Sequence, residues 1–116
     1  MSRDTCLFCK IAAGDIPATK VHEDDDVVAF RDLHPQAPVH VLVIPKRHVA
    51  SVTGLGADDA ALLGKLMLAA GAIAEREGIA GSGYRVVTNT GAHGGQTVFH
   101  LHLHLLGGRP MAWPPG

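Results

Sequence analysis

The sequence predicts an α+β domain in which one short and one long helix pack on a five-stranded, largely antiparallel sheet, and three observations predict it. Apolar positions recur at three- and four-residue intervals over 58–77, which is the signature of an amphipathic helix. Five shorter runs elsewhere have strand character and are bounded by Gly, Pro or Asp clusters. The chain has 116 residues, 47% of them hydrophobic, which suits a single core and hence one domain over 1–116.

Taken in order, Asp4 or Thr5 can cap a helix over 7–13 whose Leu7, Phe8 and Ile11 share a face, and Gly14 can close it. Residues 19–23 and 27–32 read as a hairpin turned by Asp24-Asp25-Asp26. His34-Pro35-Gln36-Ala37-Pro38 is an extended connector, because each proline fixes its own φ and drives its predecessor out of the α region. Residues 39–44 are the most strand-like run, ended by Pro45. In the long helix, Leu62, Leu63, Leu66, Met67, Ala70, Ile73 and Ala74 form the apolar stripe. Asp58 and Asp59 suit its positive end and Gly78 its exit. Residues 84–89 and 98–107 are two further strands, and 108–116 is an irregular tail.

Ten Lys and Arg against eleven Asp and Glu give a net charge of −1, so the basic footprint of a nucleic-acid or anionic-lipid binder is missing. The longest apolar run, 66–74, is far short of the ~20 residues that a bilayer span needs. The first residues carry an acid and no apolar stretch, so a soluble, cytoplasmic protein is expected.

Composition leaves eight histidines unexplained, three of them at 100, 102 and 104. If 98–107 is one strand, Phe99, Leu101, Leu103 and Leu105 enter the core while His100, His102 and His104 share the other face. Same-face neighbours are about 6.8 Å apart, so the outer pair lies roughly 13–14 Å apart and at most two can share a metal. The competing reading is a catalytic row in which one imidazole attacks an electrophile and its neighbours supply protons or hydrogen bonds. Gly94-Gly95-Gln96-Thr97 just before the row favours that reading. Its glycines let backbone N–H groups approach an oxyanion, and Thr97 adds a hydroxyl.

His100-Leu101-His102-Leu103-His104-Leu105-Leu106 resembles the signature of the histidine triad (HIT) family. The segments at 15–18, 35–46 and 94–98 are also similar to HIT segments, and the ending at 107–116 resembles the Hint branch, the purine nucleoside phosphoramidases. The resemblance implies a HIT-like fold and a homodimer whose sheets join into one of ten strands. It implies hydrolysis of purine nucleoside phosphoramidates, and of acyl-nucleotides, to nucleoside monophosphates through a nucleotidyl-histidine, with no cofactor in the chemistry. His102 would be the nucleophile, with His104, His40 and His100 around it. Asn89, Gly95, Gln96 and Thr97 would serve the phosphate region, Asp32 the ribose hydroxyls, and Phe8, Ile11, Ile16, Phe30 and Leu33 the purine slot. AMP- or GMP-like molecules would occupy the same place. A dinucleoside polyphosphate hydrolase and a nucleotide-binding module with incidental turnover are the alternatives.

Cys6-x-x-Cys9 has metal-ligand spacing, but a structural zinc needs two further ligands. The resemblance supplies them as His48 and His100; two small buried thiols are the plain alternative. His22, His34 and His93 belong to no such constellation and read as surface or loop histidines.

Overall fold

The computed structural model describes residues 5–116. Its elements are helix α1 (Leu7–Ala13), strands β1 (Lys20–Glu23), β2 (Val27–Arg31) and β3 (Val39–Pro45), helix α2 (Ala60–Arg76), and strands β4 (Tyr84–Val87) and β5 (Leu103–Gly107). The strands form one antiparallel sheet in the order β1-β2-β3-β5-β4. The fold class is therefore the one expected, and the helix and hairpin boundaries fall within two residues of those read from the sequence.

Strand alternation gives the sheet two buried faces. Val27, Ala29, Val41, Val43, Leu103 and Leu105 pack with Leu66, Ala69, Ala70, Ile73 and Ala74 of α2. Val28, Phe30, Leu42 and Ile44 point the other way and pack with Cys6, Phe8, Cys9 and Ile11 at α1. Each fully buried Leu or Ile contributes roughly 1.5–3 kcal/mol, so α2 is held by packing more than by helix propensity. Because His40 alternates with Val41, and His104 with Leu103 and Leu105, both histidines fall on the α1 face. The register pairs Leu42 with His104 and His40 with Leu106, so His40 and His104 are diagonal neighbours there.

Two expectations need correction. Asp4 lies outside the described residues, and the α1 N-cap is Cys6 rather than Thr5: its Sγ accepts from the Cys9 N–H at 3.3 Å. Gly14 closes the helix as expected, at φ 84°. The last strand begins at Leu103 rather than at residue 98, and Phe99 is 41% exposed rather than in the core. The physical cause is Pro45. Extending the β3–β5 register places it opposite Leu101, where it has no N–H to give. The Leu101 N–H bonds instead to the Val49 carbonyl, and the Thr88 hydroxyl takes the His102 carbonyl. Residues 98–102 are thereby freed from the ladder to turn their side chains independently. Among the described residues, no helix is long and apolar enough to cross a membrane.

Candidate active site

The irregular approach to β5 splits the three histidines instead of lining them up. His100 turns into a fully buried pocket beneath α1, and its Nε2–H donates to the Pro45 carbonyl at 2.8 Å. That bond leaves a lone pair on Nδ1, which lies 3.3 Å from the Cys6 Sγ, 3.4 Å from the Cys9 Sγ and 3.2 Å from His48 Nδ1. His48 Nδ1 is 3.3 Å from the Cys9 Sγ. All four donor atoms lie within 4.8 Å of one another, and the two thiols form no disulfide. A tetrahedron with zinc-like bonds of 2.0–2.1 Å to N and 2.3 Å to S has edges of about 3.3–3.8 Å. The spacing and the converging soft donors therefore fit a zinc ion.

His102 is buried, and its Nδ1–H donates to the His100 carbonyl at 2.7 Å, so Nε2 carries the lone pair. Phe8 of α1 meets the His102 ring edge-on with centroids 5.1 Å apart, and the His104 ring centroid lies 4.9 Å from it. The imidazole is thus fixed in both tautomer and orientation.

His104 and His40 form a chain whose proton positions follow from one backbone group. The Gln36 N–H donates to His40 Nδ1 at 3.0 Å, so neutral His40 carries its proton on Nε2. That Nε2–H donates to His104 Nδ1 at 2.9 Å, and neutral His104 therefore carries its own proton on Nε2. The Asp32 carboxylate stands 3.5 Å from His40 Nε2, while its other oxygen accepts the His34 N–H at 2.7 Å. Asp32, His40 and His104 also cluster closely enough to suggest a metal, but the Gln36 N–H argues against one. With Nδ1 occupied, neutral His40 has a proton, not a lone pair, on the nitrogen that would ligate.

Burial governs the charge state. It pushes His102 and His40 below the ordinary histidine value, Asp32 partly opposing it in both, and the His100 carbonyl also opposing it at His102. It pushes His104 down to about 4, with the neighbouring His102 and His40 adding to the effect. At neutral pH the site holds uncharged imidazoles: a nucleophilic nitrogen on His102 and an N–H donor on His104. That combination suits attack on an electrophile that becomes anionic, such as phosphorus in a phosphate derivative.

The other residues singled out from the sequence divide. Phe8, Ile11 and Phe30 are buried in one cluster with Ile16 against it, whereas Leu33 is 88% exposed and stands apart. Thr97 is exposed and Asn89 half-buried, just past β4. The Gly95 N–H, expected to face an oxyanion, donates to the Ala92 carbonyl at 3.1 Å, because the loop closes into a tight turn. Gln96 is buried and committed to that turn: its Oε1 accepts from the Gly91 N–H, and its Nε2 donates to the Ala50 and Val98 carbonyls. His22 is paired with Asp24 at the hairpin, away from the site. Sequence reading missed the Gln36 N–H, the Pro45 carbonyl and Thr88. Only the prolines flanking Gln36 hinted that its backbone was held.

Residues 13–111 match the HIT domain family. This chain belongs to the HIT family. The HIT domain covers nearly the whole molecule, including every histidine of the site. An uncharacterised HIT-like protein of Synechococcus elongatus is 59% identical over 116 residues, covering 100% of both chains. Purine nucleoside phosphoramidase of Escherichia coli is 49% identical over 111 residues, 96% of this chain and 92% of the relative. Among solved structures, a HIT family hydrolase from Legionella pneumophila superposes with a TM-score of 0.95 at 54% identity, covering 97% of this chain and 100% of that one. A histidine triad protein from Clostridium difficile does so with 0.93 at 45% identity, covering 97% of each.

Proposed function

We propose that this HIT domain hydrolyses purine nucleoside phosphoramidates to nucleoside monophosphates through a nucleotidyl group carried on His102. The observation that carries this reading is the Nδ1–H bond from His102 to the His100 carbonyl, which leaves the Nε2 lone pair of a neutral, buried imidazole for attack. The kinship to a purine nucleoside phosphoramidase supports the choice of a P–N substrate.

In the first step His102 Nε2 forms a bond to phosphorus as the P–N bond to the amine breaks, and the bonding pair leaves with the nitrogen. In the second, water adds to phosphorus and the pair of the P–Nε2 bond returns to the imidazole. One proton is taken up with the departing amine and one is given back by the water, so the cycle closes. The Nε2–H of His104 stabilises the anionic phosphoryl oxygens, and Thr97 and Asn89 stand with it on the phosphate side. The Gly95 and Gln96 turn shapes that loop. Phe8, Ile11, Ile16 and Phe30 offer the purine an apolar wall, and Asp32 serves the ribose. Acyl-nucleotides, whose leaving group needs no proton, are a second substrate class.

A zinc ion on Cys6, Cys9, His48 and His100 would be structural, tying α1 to the end of β3 and to residue 100. A homodimer is supported by exposed Met67 and Leu68 on α2 and by Tyr84 on edge strand β4, whose hydroxyl lies over Gly71 of α2. Sedimentation at twice the chain mass tests it.

The substrate reading is tested by comparing kcat/KM for adenosine and guanosine phosphoramidates, acyl adenylates and diadenosine polyphosphates on one sample. The P–N substrates should lead. A lead for the diadenosine compounds makes the protein a dinucleoside polyphosphate hydrolase, and tight nucleotide binding with no turnover makes it a binding module.

A further inference from the structure

We propose that Arg109, an exposed residue of the tail, is a positioning residue that sets which nitrogens of His40 and His104 carry protons. Its kinetic consequence rests on the phosphoramidase reading; its structural consequence does not.

The Arg109 guanidinium donates twice to one acceptor, the Gln36 carbonyl, from Nε at 3.1 Å and from Nη2 at 2.9 Å, while Nη1 reaches the Pro110 carbonyl at 3.1 Å. Gln36 is the residue whose N–H occupies His40 Nδ1. A second contact holds the same loop: the backbone of Gly108 lies so close to Pro38 that a Cβ there would sit 2.9 Å from Pro38 Cβ. Among the described residues, the loop's remaining hydrogen bonds run within itself and to its own strand ends. The Gln36 side chain donates to the His34 carbonyl, the His34 N–H to Asp32, and the Asp32 N–H to the His40 carbonyl. The two tail residues hold it from outside through Gln36 and Pro38.

Arg109 acts on the site through two imidazole rings, His40 and His104. While the Gln36 N–H faces His40 Nδ1, a proton on that nitrogen is excluded and the chain must read Gln36 N–H to His40, then His40 Nε2–H to His104, leaving His104 an Nε2–H donor. If Gln36 is released, His40 can hold its proton on Nδ1. Its Nε2 then accepts from His104 Nδ1–H, and His104 presents a lone pair in place of a donor. A carbonyl gripped by a planar two-pronged cation is held in direction as well as distance, which a single ammonium cannot reproduce.

The test uses the full chain with 15N-labelled imidazoles, observed by long-range 1H–15N NMR at neutral pH. Wild type should show His40 and His104 both protonated on Nε2. Arg109→Met and Arg109→Lys should shift His40 toward the Nδ1–H form and lower kcat on an adenosine phosphoramidate by about 10-fold or more, with KM changed far less. Arg85→Met is the control: Arg85 donates to the Ala112 carbonyl at 2.8 Å, so its loss frees the tail further along without touching Gln36, and the tautomers should stay as in wild type. The proposal is overturned if both Arg109 variants keep His40 protonated on Nε2, or if Arg85→Met shifts it equally. Should Arg109→Met not fold, Arg109→Lys decides alone. Tautomers that respond as described in a chain that turns over no phosphoramidate would retain the clamp and reject the substrate assignment.

Discussion

Gly94→Ala is the sharpest perturbation of the loop that precedes the histidines. A Cβ built there collides with the Thr90 carbonyl oxygen and stands 2.9 Å from the Thr90 nitrogen and 3.1 Å from its carbonyl carbon. All three obstacles are backbone, so no rotamer change relieves them and the turn must open. Opening it strains the Gly95–Ala92 and Gln96–Gly91 bonds at 3.1 and 3.0 Å. Overpacking costs roughly 1–3 kcal/mol and each of the two weakened bonds about 1, which gives a total of about 3–5 kcal/mol. With an unfolding entropy of about 2.1 cal/mol/K per residue, a chain of 116 residues loses about 12–20 °C in Tm. Gly95→Ala is the comparison, because open space surrounds that position and only its φ of +80° opposes a side chain. That strain costs roughly 1–2 kcal/mol, part of it offset in the unfolded chain, so about 4 °C is expected. Calorimetry measures both. A Gly94→Ala protein melting with wild type, or a Gly95→Ala protein that falls as far, refutes the loop geometry. Measured below the melting range, Gly94→Ala should lower kcat/KM by about 10–100-fold, because an ångström of displacement moves Thr97 from the position proposed for it beside the substrate phosphate.

Removing the metal donors should act on stability first. Elemental analysis should find zinc in the wild type, and Cys9→Ser or a strong chelator should remove it and lower Tm by on the order of 10 °C, since a tightly bound ion contributes about 3–4 kcal/mol by mass action. Loss of the rate at temperatures where the protein stays folded, with Tm unchanged, would count against a structural ion. Acid should spare the activity and weaken the fold. His104 is held down to about 4, and His40 is lowered too, so kcat/KM should stay level as pH falls through the ordinary histidine range near 6.5. The unfolded chain takes up protons there and the folded site does not. Stability contributed by these groups is therefore complete above about 6.5 and is lost as pH falls toward 4. A rate that halves at about 6.5 contradicts the burial argument.

The fold was legible because its elements carry strong local signals. The stripe on α2, Gly14 closing α1 and the Asp24 turn are each decided within a few residues of chain. The site was legible as a list of residues but not as a geometry. Period-two alternation put His100, His102 and His104 on one face, and the structure parts them, because Pro45 breaks the ladder from the neighbouring strand. That same break gives His100 two tasks, its ring among the cysteines and its carbonyl on His102. No pattern along residues 98–104 encodes a partner fifty residues away. The Gln36 N–H and the Arg109 clamp escaped for a related reason: they act through backbone atoms, which every residue possesses, so side-chain identity does not announce them. The Gly95 amide was misjudged because a glycine that frees the backbone to meet a ligand equally frees it to close on itself.

The most direct measurement is rapid-quench mass spectrometry of the protein mixed with an adenosine phosphoramidate in excess. A nucleotidyl group on His102, formed before the first product is released and absent from a folded His102→Ala chain that no longer turns over, is the predicted result. Monophosphate appearing with no adduct at any time point, or His102→Ala retaining the wild-type rate, contradicts the account.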